Sequence, residues 1–147
     1  MTSTASAGAD TDPNCVFCKV ISGSLPSRRI YEDDQAVAFL DIGAWQRGHS
    51  LVVPKRHVPD LISGQSSLSH IAPAIEAVAR LLADTLAPDG LNLLSSTGAV
   101  AGQEVFHLHV HVVPRYAGDP GLDKMISHQP VSDGELDAVY RQILGSR

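Results

Sequence analysis

The sequence predicts an α+β fold built on an antiparallel sheet. Short runs of strand character and two amphipathic helical segments intermix along the chain, without the strand–helix–strand period that a parallel sheet requires. The 147 residues are about one domain in length and contain no internal repeat. We therefore expect a single domain over residues 15–147, after a disordered tail over residues 1–14.

Composition limits the location and the partners of the protein. The N-terminal stretch MTSTASAGADTDPN is small and polar, and it has neither the basic start nor the apolar run of a signal peptide. No apolar run approaches the roughly 18 residues that cross a bilayer. These features predict a cytoplasmic protein with no membrane partner. The net charge of −5, without a long basic run, argues against nucleic-acid binding but permits a small anionic ligand.

The first half of the chain contains a short helix and two strand candidates. CVFCKVISG fits a helical turn that Gly23 closes. The runs 35–42 and 49–55 have strand character, and Pro54 ends the second because it has no N–H to donate to a sheet ladder. GAWQRG connects the two runs between glycines.

A long helix is predicted from about Ser67 to Leu86. Its apolar residues recur with helical spacing: Ile71, Ile75, Val78, Leu82 and Leu86. Pro73 falls early in this segment, so the regular part is expected to begin near it. The following PDG ends the helix.

The second half continues with a strand candidate at 91–96 and a flexible loop, TGAVAG. Near the C-terminus, Ser132 and Glu135 have the spacing of a capping box, and apolar residues follow with helical spacing. The sequence thus predicts a C-terminal amphipathic helix.

The run GQEVFHLHVHVVPR (102–115) carries His107, His109 and His111 on alternate positions. On a strand these side chains would share one face. The opposite face would then consist of Phe106, Leu108, Val110 and Val112. Imidazole suits nucleophilic, acid–base and metal chemistry near neutral pH, so the row predicts a functional site, with a solvated strand face as the plain alternative.

The loop before this run contains small residues and a neutral donor. Gly98 and Gly102 permit backbone amides to approach a ligand closely, and Gln103 adds an amide group. Small residues before a strand also belong to ordinary turns, so the loop only supports the interpretation of the histidines.

Cys15 and Cys18 form a CxxC pair, a common half of a tetrahedral zinc site. The same spacing occurs in redox pairs and among plain buried cysteines, although no βαβ setting of a thioredoxin-like motif surrounds this one. Two further ligands would be needed, and the candidates are His57 and one histidine of the row.

Taken together, these motifs resemble the histidine triad (HIT) family of nucleotide hydrolases and transferases, in its zinc-bearing bacterial form. CVFCKVISG, IYEDDQAVAFLDI, GHSLVVPKRHV and GQEVFHLHVHVVP stand in the family's order. The motif His-φ-His-φ-His-φ-φ, with φ apolar, is matched at each position from His107 to Val113. The resemblance covers roughly residues 14–116. It implies a HIT-like sheet of about five strands with a long central helix and a C-terminal helix, and a homodimer.

The resemblance implies a separate role for each histidine of the row. His109 matches the nucleophile, which attacks an α-phosphorus and forms a transient nucleotidyl-histidine. His111 matches the histidine that contacts phosphate or the leaving group. The backbone carbonyl of His107 matches the group that fixes the tautomer of the nucleophile, and Gln103 would contact the phosphoryl oxygens.

The resemblance also implies a structural zinc and no organic cofactor. The ligands of zinc-bearing members correspond to Cys15, Cys18, His57 and His107. Four protein ligands leave no open position on the ion, so such a zinc would hold the N-terminal segment to the catalytic strand.

Other correspondences concern the substrate. Asp41 matches an acceptor of ribose hydroxyls, and Phe39 and Ile42 are candidates to flank the base. His49 matches a fourth histidine near the triad. Each of these two polar residues has a purely structural alternative. Asp41 could cap a turn, and His49 could be a buried histidine with satisfied hydrogen bonds.

Two positions depart from the family pattern. Ser96 stands where many members have Asn, and Glu104 stands where many have Ser or Thr after the Gln. Ser96 can still donate a hydrogen bond to phosphate, whereas Glu104 brings negative charge near an anionic substrate. The tryptophan-bearing C-terminus of the purine phosphoramidase branch is also missing.

The resemblance therefore implies an enzyme that cleaves a nucleoside phosphoramidate, or a related nucleotide such as a dinucleoside polyphosphate, at the α-phosphate. The product would be a nucleoside monophosphate. Two alternatives stay open at this point: a hydrolase in which the triad binds a catalytic zinc, and a nucleotide-binding protein without catalysis.

Overall fold

The computed structural model describes residues 10–123 and 126–145, and the chain divides into two units between residues 117 and 118. Most of the predicted disordered tail, residues 1–9, lies outside the described residues. The Asp10 carbonyl accepts a hydrogen bond from the His57 N–H at 2.6 Å, and the Asp10 carboxylate lies 2.9 Å from Arg56. The single domain over residues 15–147 stays a prediction.

Within the described residues, the first unit contains two α-helices and five strands. In chain order they are α1 (Val16–Ser22), β1 (Arg29–Glu32), β2 (Ala36–Leu40), β3 (Ser50–Pro54), α2 (Ser67–Leu86), β4 (Gly90–Leu94) and β5 (Val110–Arg115). The strands form one antiparallel sheet in the order β1-β2-β3-β5-β4. The predicted α+β fold with an antiparallel sheet of about five strands is confirmed.

The second unit contains α3 (Asp133–Gly145). The Ser132 hydroxyl accepts a hydrogen bond from the Glu135 N–H at 3.2 Å, which is one half of the predicted capping box. Within residues 10–123 and 126–145, no helix combines the length and the apolar character that a membrane crossing requires.

Strand β1 is the element that the sequence did not single out. Its four residues, RIYE, are half polar, and none of them is fully buried. The strand lies at one edge of the sheet and pairs only with β2. An edge strand needs little apolar surface, so it leaves only a weak pattern in the sequence.

Helix α2 covers one face of the sheet. It begins and ends where the apolar spacing predicts, but Pro73 lies inside the helix and not at its start. There its nitrogen cannot donate to the Ser69 carbonyl and its ring crowds that carbonyl, a cost of about 3 kcal/mol that the packing of α2 on the sheet offsets. The core on this side consists of Ala36, Ala38, Val52, Ile71, Ala74, Ile75, Val78, Leu82, Val110 and Val112. Each fully buried Ile, Leu or Val stabilises the fold by about 1.5–3 kcal/mol.

Helix α1 covers part of the opposite face. Its Phe17 and Val20 pack with four sheet residues, Val37, Phe39, Leu51 and Val53. His111 is registered with Leu51 on β3, and alternation along the strand directs His111 to this same face. The α1 side of the sheet is therefore the side of the histidines.

The predicted histidine strand is shorter than expected. Strand β5 begins at Val110, so His107 and His109 precede it and have no strand partner. The chain there bonds instead to a loop, since the Leu108 N–H donates to the Val58 carbonyl at 2.7 Å. Phe106, expected on the buried face, is half-exposed because it stands in the bend before this segment, whereas Leu108 is buried.

Gly48 provides a test of packing between the β2–β3 loop and α2. Its φ is +90°, and a Cβ there would lie 2.5 Å from Leu86 and 3.0 Å from Pro114. We expect Gly48→Ala to lower the free energy of unfolding by about 2–4 kcal/mol in urea titrations, from backbone strain and overpacking together. Gly23 has a similar φ of +85° with open space around it, so Gly23→Ala should cost only about 1–2 kcal/mol. Equal losses would contradict the packing argument.

Candidate active site and metal centre

Two cysteines and two histidines converge beside α1. The sulfur of Cys15 lies 3.4 Å from Nδ1 of His107, and the sulfur of Cys18 lies 3.4 Å from Nδ1 of His57. The two Nδ1 atoms are 3.2 Å apart, and all four donor atoms lie within 4.8 Å of one another. The structure thus brings together the four side chains predicted as metal ligands.

The spacing and chemistry of this cluster fit a zinc ion. Ligand atoms about 2.0–2.3 Å from a tetrahedral zinc are about 3.3–3.8 Å apart, close to the separations seen between the sulfur and nitrogen atoms. His107 directs its other nitrogen, Nε2, to the Pro54 carbonyl at 2.8 Å. That bond fixes the Nε2–H tautomer and leaves the Nδ1 lone pair for a metal.

Burial is the main influence on the pKa of two members of the cluster, Cys18 and His107. It raises the pKa of the Cys18 thiol to about 11 and lowers the pKa of His107 to about 4. A bound cation favours the thiolate and the neutral imidazole. It would therefore oppose the raised pKa of Cys18 and agree with the lowered pKa of His107.

His109 follows the cluster directly along the chain. Its Nδ1 lies 2.7 Å from the backbone carbonyl of His107, so Nδ1–H donates and Nε2 keeps a free lone pair. The ring is 8% exposed and packs edge-on against Phe17 at a centroid distance of 5.1 Å. The arrangement presents one nucleophilic nitrogen in a fixed direction.

His111 belongs to a hydrogen-bonded chain that begins in the loop before β3. The Trp45 N–H donates to Nδ1 of His49 at 3.0 Å, so neutral His49 carries its proton on Nε2. That Nε2–H donates to Nδ1 of His111 at 2.8 Å. Neutral His111 therefore carries its own proton on Nε2, as a donor beside His109.

Asp41 completes this second group. One carboxylate oxygen lies 3.5 Å from Nε2 of His49, and the other accepts a hydrogen bond from the Gly43 N–H at 2.9 Å. Asp41, His49 and His111 could in principle hold a cation. The 2.8 Å between the two imidazoles is, however, a hydrogen-bond distance, shorter than the about 3.3 Å between nitrogens on a tetrahedral zinc. A proton fits between them better than a metal does.

Gln103 organises the glycine loop. Its side-chain oxygen accepts from the Gly98 N–H at 2.9 Å, and its NH₂ group donates to the carbonyls of Pro59 at 2.7 Å and Val105 at 3.1 Å. Both amide hydrogens are thus occupied within the chain. A contact of this side chain with phosphoryl oxygens stays a prediction and would require one of these bonds to break.

The other predicted substrate residues differ in exposure. Phe39 is 5% exposed and packs edge-on against Phe17, whereas Ile42 is 94% exposed. Ser96 is half-buried near Gly102, and Glu104 is exposed. A buried Phe39 supports the wall of the site, and Ile42 is free to meet a ligand.

Comparison with known proteins agrees with this geometry. The HIT domain family matches residues 22–118. The Protein hit of Bacillus subtilis is 43% identical over 110 residues, which cover 74% of this chain and 76% of that protein. A crystal structure from Streptococcus mutans, SMU.412c, aligns with a TM-score of 0.84 at 36% identity and covers 93% of this chain and 87% of that one.

The chain belongs to the HIT family. A further relative, the adenylylsulfatase HINT3 of Arabidopsis thaliana, is 37% identical over 107 residues, which cover 72% of this chain and 54% of that protein. At the level of the family, the chain is a nucleotide-binding hydrolase or transferase. The site described above provides the groups that such chemistry needs.

Three residues of this HIT site were missed by sequence reasoning. Trp45 stacks on His111, Phe17 contacts His107 and His109, and the Ser95 hydroxyl donates to the His109 carbonyl at 2.9 Å. The only tryptophan of the chain, four positions before His49, was the one available signal. Phe17 and Ser95 had none, because their contacts cross between distant segments.

The titration of His111 predicts how the stability of this HIT protein depends on pH. Burial first, and then the neighbouring His109 and His49, lower the pKa of His111 from 6.5 to about 4. Folding thus favours the neutral ring of His111. The contribution of this ring to the free energy of unfolding is complete above pH 6.5 and is lost as the pH falls to about 4. As the pH falls over this range, we expect the parent to lose roughly 2–3 kcal/mol more of its free energy of unfolding than His111→Asn does. Urea titrations at several pH values measure this, and parallel curves would contradict it.

Proposed function

We propose that this HIT protein cleaves nucleotides at the α-phosphate through a covalent nucleotidyl-His109 intermediate. The observation that carries the proposal is the 2.7 Å bond from Nδ1 of His109 to the His107 carbonyl. It leaves Nε2 as a neutral lone pair in a fixed direction, which is the state that a nucleophilic imidazole requires.

The first step forms a bond between Nε2 of His109 and the α-phosphorus. The bond from phosphorus to the leaving group breaks, and its electron pair goes to the leaving group, which takes a proton from solvent. The Nε2–H of His111 is placed to donate a hydrogen bond to the leaving group or to a phosphoryl oxygen. The Gly98 and Gly102 N–H groups already donate to the Gln103 side chain and the Ala99 carbonyl, so they would stabilise the developing negative charge only by exchanging those bonds.

The second step consumes water. A water oxygen bonds to phosphorus, the phosphorus–nitrogen bond breaks, and its electron pair returns to His109. The released proton goes to solvent, and the product is a nucleoside monophosphate. Asp41 is the candidate acceptor for the ribose hydroxyls, and exposed Ile42 is the candidate contact for the base.

The substrate class that we propose is a nucleoside monophosphate joined to an amine, a sulfate or a second nucleotide. The related Arabidopsis protein is named an adenylylsulfatase, which supports an adenylyl group and a sulfate as members of this class. We further propose that Cys15, Cys18, His57 and His107 bind a structural zinc. Four donors at the spacing of a closed tetrahedron support this proposal.

Location and assembly are proposals as well. Cys15 and Cys18 form no disulfide, which agrees with a reducing cytoplasm. Strand β4 lies at the edge of the sheet and exposes Leu93, which favours pairing with a second copy in a homodimer.

His109→Asn tests the nucleophile. We expect kcat for adenosine 5′-phosphoramidate to fall by at least about 10³-fold, because Asn supplies no ring nitrogen to attack phosphorus. Rapid quenching of the parent enzyme with labelled substrate should trap an acid-labile adenylyl-protein that the variant does not form. His70→Asn, an exposed histidine of α2, is the matched control and should keep full activity. Turnover by His109→Asn at the rate of the control would overturn the proposal.

His57→Asn tests the zinc, again with His70→Asn as the control. We expect about one zinc per chain in the control, and in His57→Asn a loss of zinc and a melting midpoint lower by roughly 10 °C or more. Elemental analysis and thermal melts measure both. Under chelation, activity should decline together with the folded fraction. Immediate loss of activity in a folded protein, restored by metal, would instead identify a catalytic zinc.

A further inference from the structure

The loop between β2 and β3 places Trp45, the only tryptophan of the chain, against two histidines of the site. Its indole stacks on His111 at a centroid distance of 4.6 Å and an interplanar angle of 17°. It also lies 4.5 Å from His49, at 44°. Since these imidazoles are hydrogen-bonded to each other at 2.8 Å, the indole covers the bond between them.

We infer that Trp45 is a positioning residue that holds His111 as an Nε2–H donor toward the leaving group. The structural part of this inference rests on the ring contacts, and its catalytic consequence rests on the proposed function. Nothing in the indole reacts, so its effect reaches the substrate through His111.

The physical argument concerns access of water to Nδ1 of His111. A hydrogen bond covered by an apolar ring is stronger than one open to solvent, because water does not compete for the acceptor and the local dielectric constant is low. The stack also fixes the plane of the His111 ring, which bonds to His49 at Nδ1, meets the edge of His109 and lies near the Asp41 carboxylate. Without the indole, His111 can rotate or exchange tautomers.

The side chain and the backbone of Trp45 can be separated experimentally. The donor to Nδ1 of His49 is the backbone N–H of Trp45, which every substitution except proline keeps. Trp45→Leu therefore removes the aromatic cover alone, and Trp45→Phe is the matched variant that keeps a flat ring.

Nitrogen-15 NMR of the histidine side chains, recorded near pH 7.5 without substrate, tests the structural part. His111→Asn assigns the resonances of His111. We expect one signature in the parent and in Trp45→Phe, with Nε2 protonated and Nδ1 bare, and averaged shifts of two tautomers in Trp45→Leu. A parent with the proton on Nδ1, or a Trp45→Leu spectrum identical to that of the parent, would overturn the inference.

Steady-state kinetics test the catalytic part with adenosine 5′-phosphoramidate. We expect kcat to fall by about tenfold in Trp45→Leu and by less than about threefold in Trp45→Phe, with KM changed by less than about twofold. A raised KM with unchanged kcat would place the indole in the binding surface and overturn the positioning role. If the parent turns over no substrate, the proposed function fails, while the NMR result still decides the inference.

Discussion

The architecture of the site depends on three contacts of one buried residue, His107. Its Nε2 bonds to the Pro54 carbonyl on β3, its Nδ1 faces the two cysteines, and its carbonyl accepts the proton of His109. The residue is fully buried, so each contact is made without competition from water. One residue thus joins the sheet, the cluster of cysteines and histidines, and the proposed nucleophile His109. A metal bound by the proposed ligands would affect the proposed catalysis through the direction of the His107 carbonyl and not through contact with substrate.

The antiparallel sheet explains why the two groups of histidines meet. β3 and β5 are neighbours, so His49, directly before β3, lies opposite the stretch that carries His111. The face that β5 turns away from α2 is the face that carries His111, and α1 brings Phe17 and both cysteines to it. One face therefore has an apolar core that supplies stability, while the other face combines a smaller core with polar groups that are each hydrogen-bonded. The apolar core on one face thus gives the sheet its stability, and the stable sheet holds the polar side chains of the other face in position.

Sequence patterns predicted most of the fold because its elements carry strong periodic signals. Helix α2 has a continuous apolar stripe and was placed to the residue, while β1 was missed because an edge strand buries little. The row of histidines was inferred from alternation along a strand. His107 and His109 nevertheless lie outside β5 and are oriented by the bond of Leu108 to the loop at Val58 and by the bond of His109 to the His107 carbonyl. The metal set needed a resemblance, since spacing alone identifies the CxxC pair but not which histidines approach it. Contacts across distant segments, such as Ser95 to His109, have no local signature.

Proton placement distinguishes the roles of two histidines that the sequence presents as equivalent. His109 donates from Nδ1 to a carbonyl and keeps Nε2 bare, whereas His111 accepts at Nδ1 from His49 and carries its proton on Nε2. The difference comes from the partner of Nδ1 in each ring, an acceptor in one case and a donor in the other. A bare nitrogen can attack phosphorus, and a protonated nitrogen can stabilise the group that leaves. The hydrogen-bond partners of these neighbouring imidazoles therefore suit them to the opposite roles that the proposed mechanism gives them, and neither proposed role involves a metal between the two rings.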